Sequence, residues 1–257
     1  MTHPQFDVKG GKMKITLRKS MWGAAILVWI VCSAGIVSAQ VAAGDDSWEF
    51  FGELYFWGAS VDGKSATGDD VDVDFDDIIG DVNFAFMGAA GVSKGKWTLG
   101  ADLIYVNVDD SGDIAPGVSA NVELTNWVIT PLVGYRIADT EKSRLDIVGG
   151  ARYLYLDAEL RVDALGARVD ESGSNWDAVI GARGSVDLAK KWYLFGYLDI
   201  GTGESDLTWQ ALGGVGYRFK YVDLVAAYRY LSWEFDDDQA LEEQQLHGPG
   251  VGIRFAF

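Results

Sequence analysis

From Trp48 onward, large apolar side chains and charged side chains keep to opposite phases of a two-residue repeat. Successive side chains of an extended strand point to opposite faces, so such a repeat requires strands with one apolar and one polar face. In 48–58, Trp48, Phe50, Leu54 and Phe56 share a face, and Glu49 and Glu53 take the other. In 176–188, Trp176, Ile180, Val186 and Leu188 oppose Asp177, Arg183 and Asp187. The same phase puts Asp102, Arg136, Arg152, Asp199, Arg218, Arg229 and Arg254 opposite the apolar row. Helical periodicity is nearly absent, so the fold class is all-β.

The pattern predicts ten strands, near 48–58, 82–92, 97–105, 125–136, 145–155, 176–188, 192–201, 207–219, 221–231 and 246–257. The links alternate. Those at 59–81, 106–124, 156–175, 202–206 and 232–245 are long in four of five cases. Those at 93–96, 137–144, 189–191 and Lys220 are short. An even strand count with long and short links in strict alternation is the layout of an antiparallel up-and-down transmembrane barrel, with tight turns in the periplasm and long loops outside.

Period alone does not say which face meets the outside. The aromatics decide it. On the apolar face, Trp48, Trp97, Tyr135, Trp192, Phe219, Tyr221 and Phe257 lie beside short links, and Tyr105, Trp127, Tyr155, Trp176, Trp209 and Tyr230 lie beside long ones. Two rings of amphipathic aromatics about 19–23 Å apart match the interfacial girdles that flank an apolar band of roughly 25 Å. The apolar face is therefore expected to meet lipid, and the charges to line the lumen.

The N-terminus fits this destination. Lys9, Lys12, Lys14, Arg18 and Lys19 precede an apolar stretch from Met21 to Val37, and Val37-Ser38-Ala39 supplies a small-residue cleavage site. Residues 1–39 read as a secretory signal cleaved near Ala39, and residues 40–257 as one barrel domain in the cell outer membrane. The remainder holds no cysteine, because the one cysteine of the chain is Cys32. That excludes a disulfide framework, a thiolate metal site and a cysteine nucleophile. Five of the 21 Lys+Arg and one of the 38 Asp+Glu fall within 1–39, leaving 16 against 37, a net charge of −21. So acidic a chain does not suit nucleic acid, whose phosphates need a basic surface.

The C-terminal run Gly252-Ile253-Arg254-Phe255-Ala256-Phe257 resembles the terminal signature of outer-membrane proteins inserted by the barrel-assembly machinery. Tyr55-Phe56-Trp57 with Asp62-Gly63, Val73 to Ile79, and Trp97 with Ala101 to Tyr105 resemble uncharacterised proteobacterial outer-membrane barrels loosely grouped with OmpW-like and opacity-type proteins. The resemblance implies that Phe255 and Phe257 form the insertion signature, that the assembly machinery is a transient partner, and that lipid and lipopolysaccharide are the permanent surroundings. OmpW-like proteins have eight strands, which makes eight the alternative count.

Three chemistries suggest themselves. The inward charges Glu53, Asp102, Arg136, Arg152, Arg183, Asp199, Arg218, Arg229 and Arg254 line either a narrow selective passage or a lumen filled by their own ion pairs, since buried charges persist when paired. The filled lumen is favoured, with Arg152, Arg183 and Arg229 expected in one mid-barrel network. The acidic stretch 68–77, with Asp70, Asp72, Asp74 and Asp76 on one side, offers weak binding of divalent cations at most, and no dedicated metal site or cofactor is expected. His247 is the one histidine after residue 39, and no carboxylate is evidently placed to orient it, so catalysis is not expected. The function read from sequence is an outer-membrane barrel of structural or narrow-channel type. A surface receptor or adhesin acting through acidic loops is the alternative, and an outer-membrane hydrolase the second alternative.

Overall fold

The computed structural model describes residues 47–65, 70–73, 82–115, 118–162, 167–235 and 241–256. The signal segment, Phe257 and most of the acidic stretch 68–77 lie outside the described residues. The strands are β1 (Trp48–Trp57), β2 (Ser60–Ser65), β3 (Asp70–Val73), β4 (Val82–Lys94), β5 (Trp97–Ala115), β6 (Val118–Asp139), β7 (Ser143–Val162), β8 (Ala167–Asp187), β9 (Trp192–Gly203), β10 (Leu207–Arg218), β11 (Asp223–Glu234) and β12 (Leu241–Ala256).

Sequential antiparallel neighbours run from β4 to β12, and β1 pairs with both β4 and β12, which closes the sheet. The barrel has ten staves, not eight, because β2 prolongs β1. Trp57 faces Gly250 and Ser60 faces His247 in one unbroken register. The break at Gly58–Ala59 falls opposite Pro249, whose carbonyl accepts from the Gly58 N–H at 2.9 Å but which has no N–H to return. β3 folds back on β2 as a hairpin above the barrel rim. At the opposite end the β4–β5 turn is two residues long, and Gly95 takes a φ of 57°, the conformation such a tight hairpin requires.

The outer face is apolar. Along β9, Trp192, Leu194, Leu198 and Ile200 are exposed, while Tyr193 and Asp199 are buried within. The rims carry cross-strand aromatic pairs: Trp97 with Tyr135 (4.8 Å between ring centroids) and Trp192 with Tyr217 (4.9 Å) at one end, Tyr105 with Trp127 (4.4 Å) and Trp209 with Tyr230 (4.7 Å) at the other. At the short-turn end Lys94 caps Trp48, Lys191 caps Tyr217 and Lys220 caps Tyr221, each ammonium 4.8–5.6 Å from a ring centre. Their stems lie along the aromatic belt and their charges reach water.

The structure corrects the strand limits on one side only. The segments 106–124, 156–175 and 232–245, read as loops, are largely ladder: β5 to β8 run 19 to 22 residues, about twice the 9–11 a tilted strand needs to cross a bilayer. Outside the membrane the outward face meets water and turns polar (Asp109, Glu123, Asp157), while Val106 and Leu156 keep the inward face apolar, so the lipid-facing row that marks a strand lapses while backbone pairing continues.

Candidate functional site

The lumen is layered along the strands. β1, β5, β7 and β11 run outward, β6 inward. On these strands Trp57, Ile104, Val128, Leu154 and Leu231 point inward near the outer rim, packed with Trp233, Phe235, Leu246 and Met87 into one buried apolar cluster. Two residues nearer the periplasm on the same strands stand Tyr55, Asp102, Thr130, Arg152 and Arg229. Trp233, Leu231 and Val128 are 0% exposed, so the outer half of the lumen is a packed core.

The layer beneath holds two ion pairs. Arg152 donates to Asp199 at 2.5 Å and to the Thr208 hydroxyl at 2.9 Å, and the Tyr197 hydroxyl donates to the same carboxylate. Both side chains of the pair are wholly buried. Arg229 donates to Asp102 at 2.8 Å, to the Tyr55 hydroxyl at 3.0 Å and to the Gln210 carbonyl at 2.6 Å. Tyr55 in turn donates to Asp102 at 2.6 Å, and the Arg229 guanidinium lies 5.0 Å from the centre of the Trp57 ring. An arginine with carboxylate, hydroxyl and amide partners and an aromatic face is how a buried cation avoids the full cost of leaving water.

Nearer the periplasm the pairs separate. Arg254 donates to Glu53 at 2.7 Å and lies against Phe195. Arg218 donates to Asp187 at 2.7 Å and covers the Tyr193 ring, whose hydroxyl donates to Asp223 at 2.9 Å. Arg183 donates to Asp146 at 3.0 Å, with Arg136 3.5 Å from the same residue. Arg183 therefore belongs to this lower layer. The single network expected of Arg152, Arg183 and Arg229 is divided, because each arginine finds a carboxylate on a different strand: Asp199 on β9, Asp146 on β7 and Asp102 on β5. All nine candidate charges are inward, in the middle and lower strata.

Between the middle and lower strata lies a cavity of about 420 Å³. Tyr55, Trp57 and Gln210 bound its deep end, and Arg136, Arg144 and Ser185 its periplasmic end. The lumen is thus a cup open towards the short turns and closed towards the outside.

One site contradicts the sequence reading. His247 has a carboxylate partner: Asp62 of β2 lies 2.7 Å from Nε2, and the Tyr228 hydroxyl 3.0 Å from Nδ1. A carboxylate only accepts, so in the neutral imidazole the proton sits on Nε2 and Tyr228 donates to Nδ1. Asp62 falls within the 59–81 link of the sequence pattern, and only the continuation of β1 into β2 brings it beside β12. Sequence reasoning also missed the apolar seal, although a signal for it existed. Leu231, Trp233 and Phe235 repeat in the phase of Arg229, and Ile104 and Leu154 follow Asp102 and Arg152 at the same spacing.

No known family and no curated protein matches this chain. Among solved structures it is similar to the outer membrane protease OmpT from Escherichia coli, at 11% identity over 86% of this chain and 100% of that one, with a TM-score of 0.47. It is similar to the translocator domain of autotransporter NalP from Neisseria meningitidis at 14% identity over 84% and 90%, TM-score 0.47. It is also similar to Ail, the attachment invasion locus protein of Yersinia pestis, at 11% identity over 82% and 99%, TM-score 0.38. Likeness at these identities concerns the barrel and carries no chemistry.

Proposed function

We propose that this chain is a non-conducting, non-catalytic outer-membrane barrel of structural type, its wall set in lipid and lipopolysaccharide. The observation that carries this reading is the apolar cluster across the outer half of the lumen, where Trp233, Leu231 and Val128 leave no water-filled path. An ion crossing that layer would have to shed its hydration among close-packed, mostly apolar side chains. The packing of that outer half supports a closed lumen over a narrow passage. Purified protein in planar bilayers is expected to give no single-channel steps, whereas Leu231→Ala combined with Trp233→Ala is expected to give them. Regular steps from the unaltered protein would refute the proposal.

A surface-binding role is the second reading, supported by the length of β5 to β8, which lifts two paired hairpins clear of the bilayer. Their outward side chains are polar: Glu159 accepts from Arg168 at 3.1 Å, and Asp170 from the same guanidinium at 2.7 Å. Hydrogen bonding to Glu159 and to Asp170 pushes the pKa of Arg161 and of Arg168, respectively, above the ordinary arginine value. A hydrolase reading would rest on Asp62, His247 and Tyr228 alone.

A further inference from the structure

We propose that the periplasm-facing half of the lumen is a binding cup for a small amphipathic anion, a carboxylate carried on an aromatic or short aliphatic body. The inference rests on the sealed outer half of the barrel, which turns the cavity from a passage into a site with one mouth.

Part of the volume comes from small residues. Gly100, Gly252 and Ala227 stand at inward positions along the cavity, and Gly184 and Gly196, which stand at outward positions, add only backbone to its wall. A space of about 420 Å³ lies within the range of small-molecule sites, roughly 300–1,000 Å³. Its middle is apolar, bounded by the rings of Phe51 and Phe195 and by Leu132, Leu212 and Val225. That wall suits a hydrocarbon body.

The charge suits an anion. The chain as a whole carries −17, yet the cavity is lined by five arginines and three carboxylates. Each of those carboxylates is already committed: Glu53 to Arg254, Asp102 to Arg229 and Asp146 to Arg183. Arg136 and Arg144 remain at the mouth. They share Asp139, at 3.2 and 3.6 Å, and that carboxylate is 44% exposed, so water screens its hold on both; Arg136 also stands 3.5 Å from Asp146, which Arg183 already holds. With five N–H donors each, Arg136 and Arg144 retain donors for a further carboxylate, and the guanidinium fork takes a carboxylate through paired hydrogen bonds. Low-dielectric walls below concentrate this positive potential at the mouth, against the negative field of the rest of the molecule. The deep end is polar, but Tyr55, Asp102, Arg229 and Gln210 satisfy one another there. The ligand's charge therefore belongs at the mouth and its apolar body inside.

The test is calorimetric titration of the signal-free chain in lipid nanodiscs with benzoate, hexanoate and benzylamine, with empty nanodiscs subtracted. Benzoate and hexanoate are expected to bind one per barrel, and benzylamine, the cationic counterpart, not to bind. Arg136→Ala with Arg144→Ala should weaken benzoate at least tenfold, and Ala227→Phe, which fills the cup, should abolish binding. Each variant's fold is checked by heat-modifiable migration. If Ala227→Phe does not fold, the arginine pair decides alone. No heat with either anion at millimolar concentration would overturn the proposal, as would benzoate binding unaffected by the arginine substitutions. Single-channel records on the same preparation separate the two claims. A conducting barrel that binds benzoate sinks the seal alone, and a silent barrel that binds neither anion sinks the cup alone.

Discussion

Arg152 and Asp199 meet where neither water nor lipid reaches, and their pairing is incomplete: Arg152 Nε and Asp199 Oδ1 have no hydrogen-bond partner among the described residues. Burying two ions is costly, and their attraction repays the cost only when every donor and acceptor is used. Removing one partner leaves a bare charge in the barrel, so Asp199→Ala should cost about 3–5 kcal/mol of unfolding free energy. Replacing both, as Arg152→Met with Asp199→Leu, should recover most of that loss. Urea unfolding in detergent micelles, followed by tryptophan fluorescence, measures both. A double variant as unstable as the single one would show that the pair fixes the barrel's packing and not merely its own charge. Which charge meets which was not legible in the sequence. Parity names the inward residues, but Arg152 and Asp199 are 47 positions apart, and their meeting depends on the barrel's curvature.

At the scale of elements, legibility followed the solvent. Where one face met lipid and the other the lumen, strand phase was plain, and β9 and β10 fall close to their expected limits. Where β5 to β7 rise beyond the bilayer the phase inverts, with Val106 and Leu156 inward and Asp109, Glu123, Asp157 and Glu159 outward, so the lipid-facing apolar row that marks a strand stops there. The seal was hidden for a related reason, since apolar residues on the inward phase look like interruptions of the lumen pattern. β2 stands apart because it joins the wall only through β12 and β3. Besides the backbone ladder, the contacts of His247 with Asp62 and of Lys64 with Glu242 hold it. Both are partly exposed, so each contributes on the order of 0.2–1 kcal/mol. Asp62→Ala is expected to speed amide exchange across 60–65 several-fold while leaving the global unfolding midpoint in place. A shift of that midpoint would mean that the hairpin belongs to the cooperative unit of the barrel.

For the whole molecule, one closed sheet separates three environments. Its outer face carries Val251, Ile253 and Ile180 outward, its lower lumen surrounds a polar-mouthed cup, and its upper lumen holds the buried apolar cluster. Sequence foresaw the first of these because lipid imposes a continuous apolar row on every strand. It could not foresee the other two, since lumen contents depend on which inward side chains converge from strands far apart in the chain. Collision accessibility of nitroxide labels at single cysteines replacing Ile253, Ala227 and Leu156 distinguishes all three in one electron paramagnetic resonance experiment. The label at Ile253 is expected to respond to oxygen and hardly to a water-soluble nickel chelate, that at Ala227 to the chelate, and that at Leu156 weakly to both. Strong response to the chelate at Leu156 as well as Ala227 would mean a water-filled lumen from end to end, and would contradict the sealed barrel.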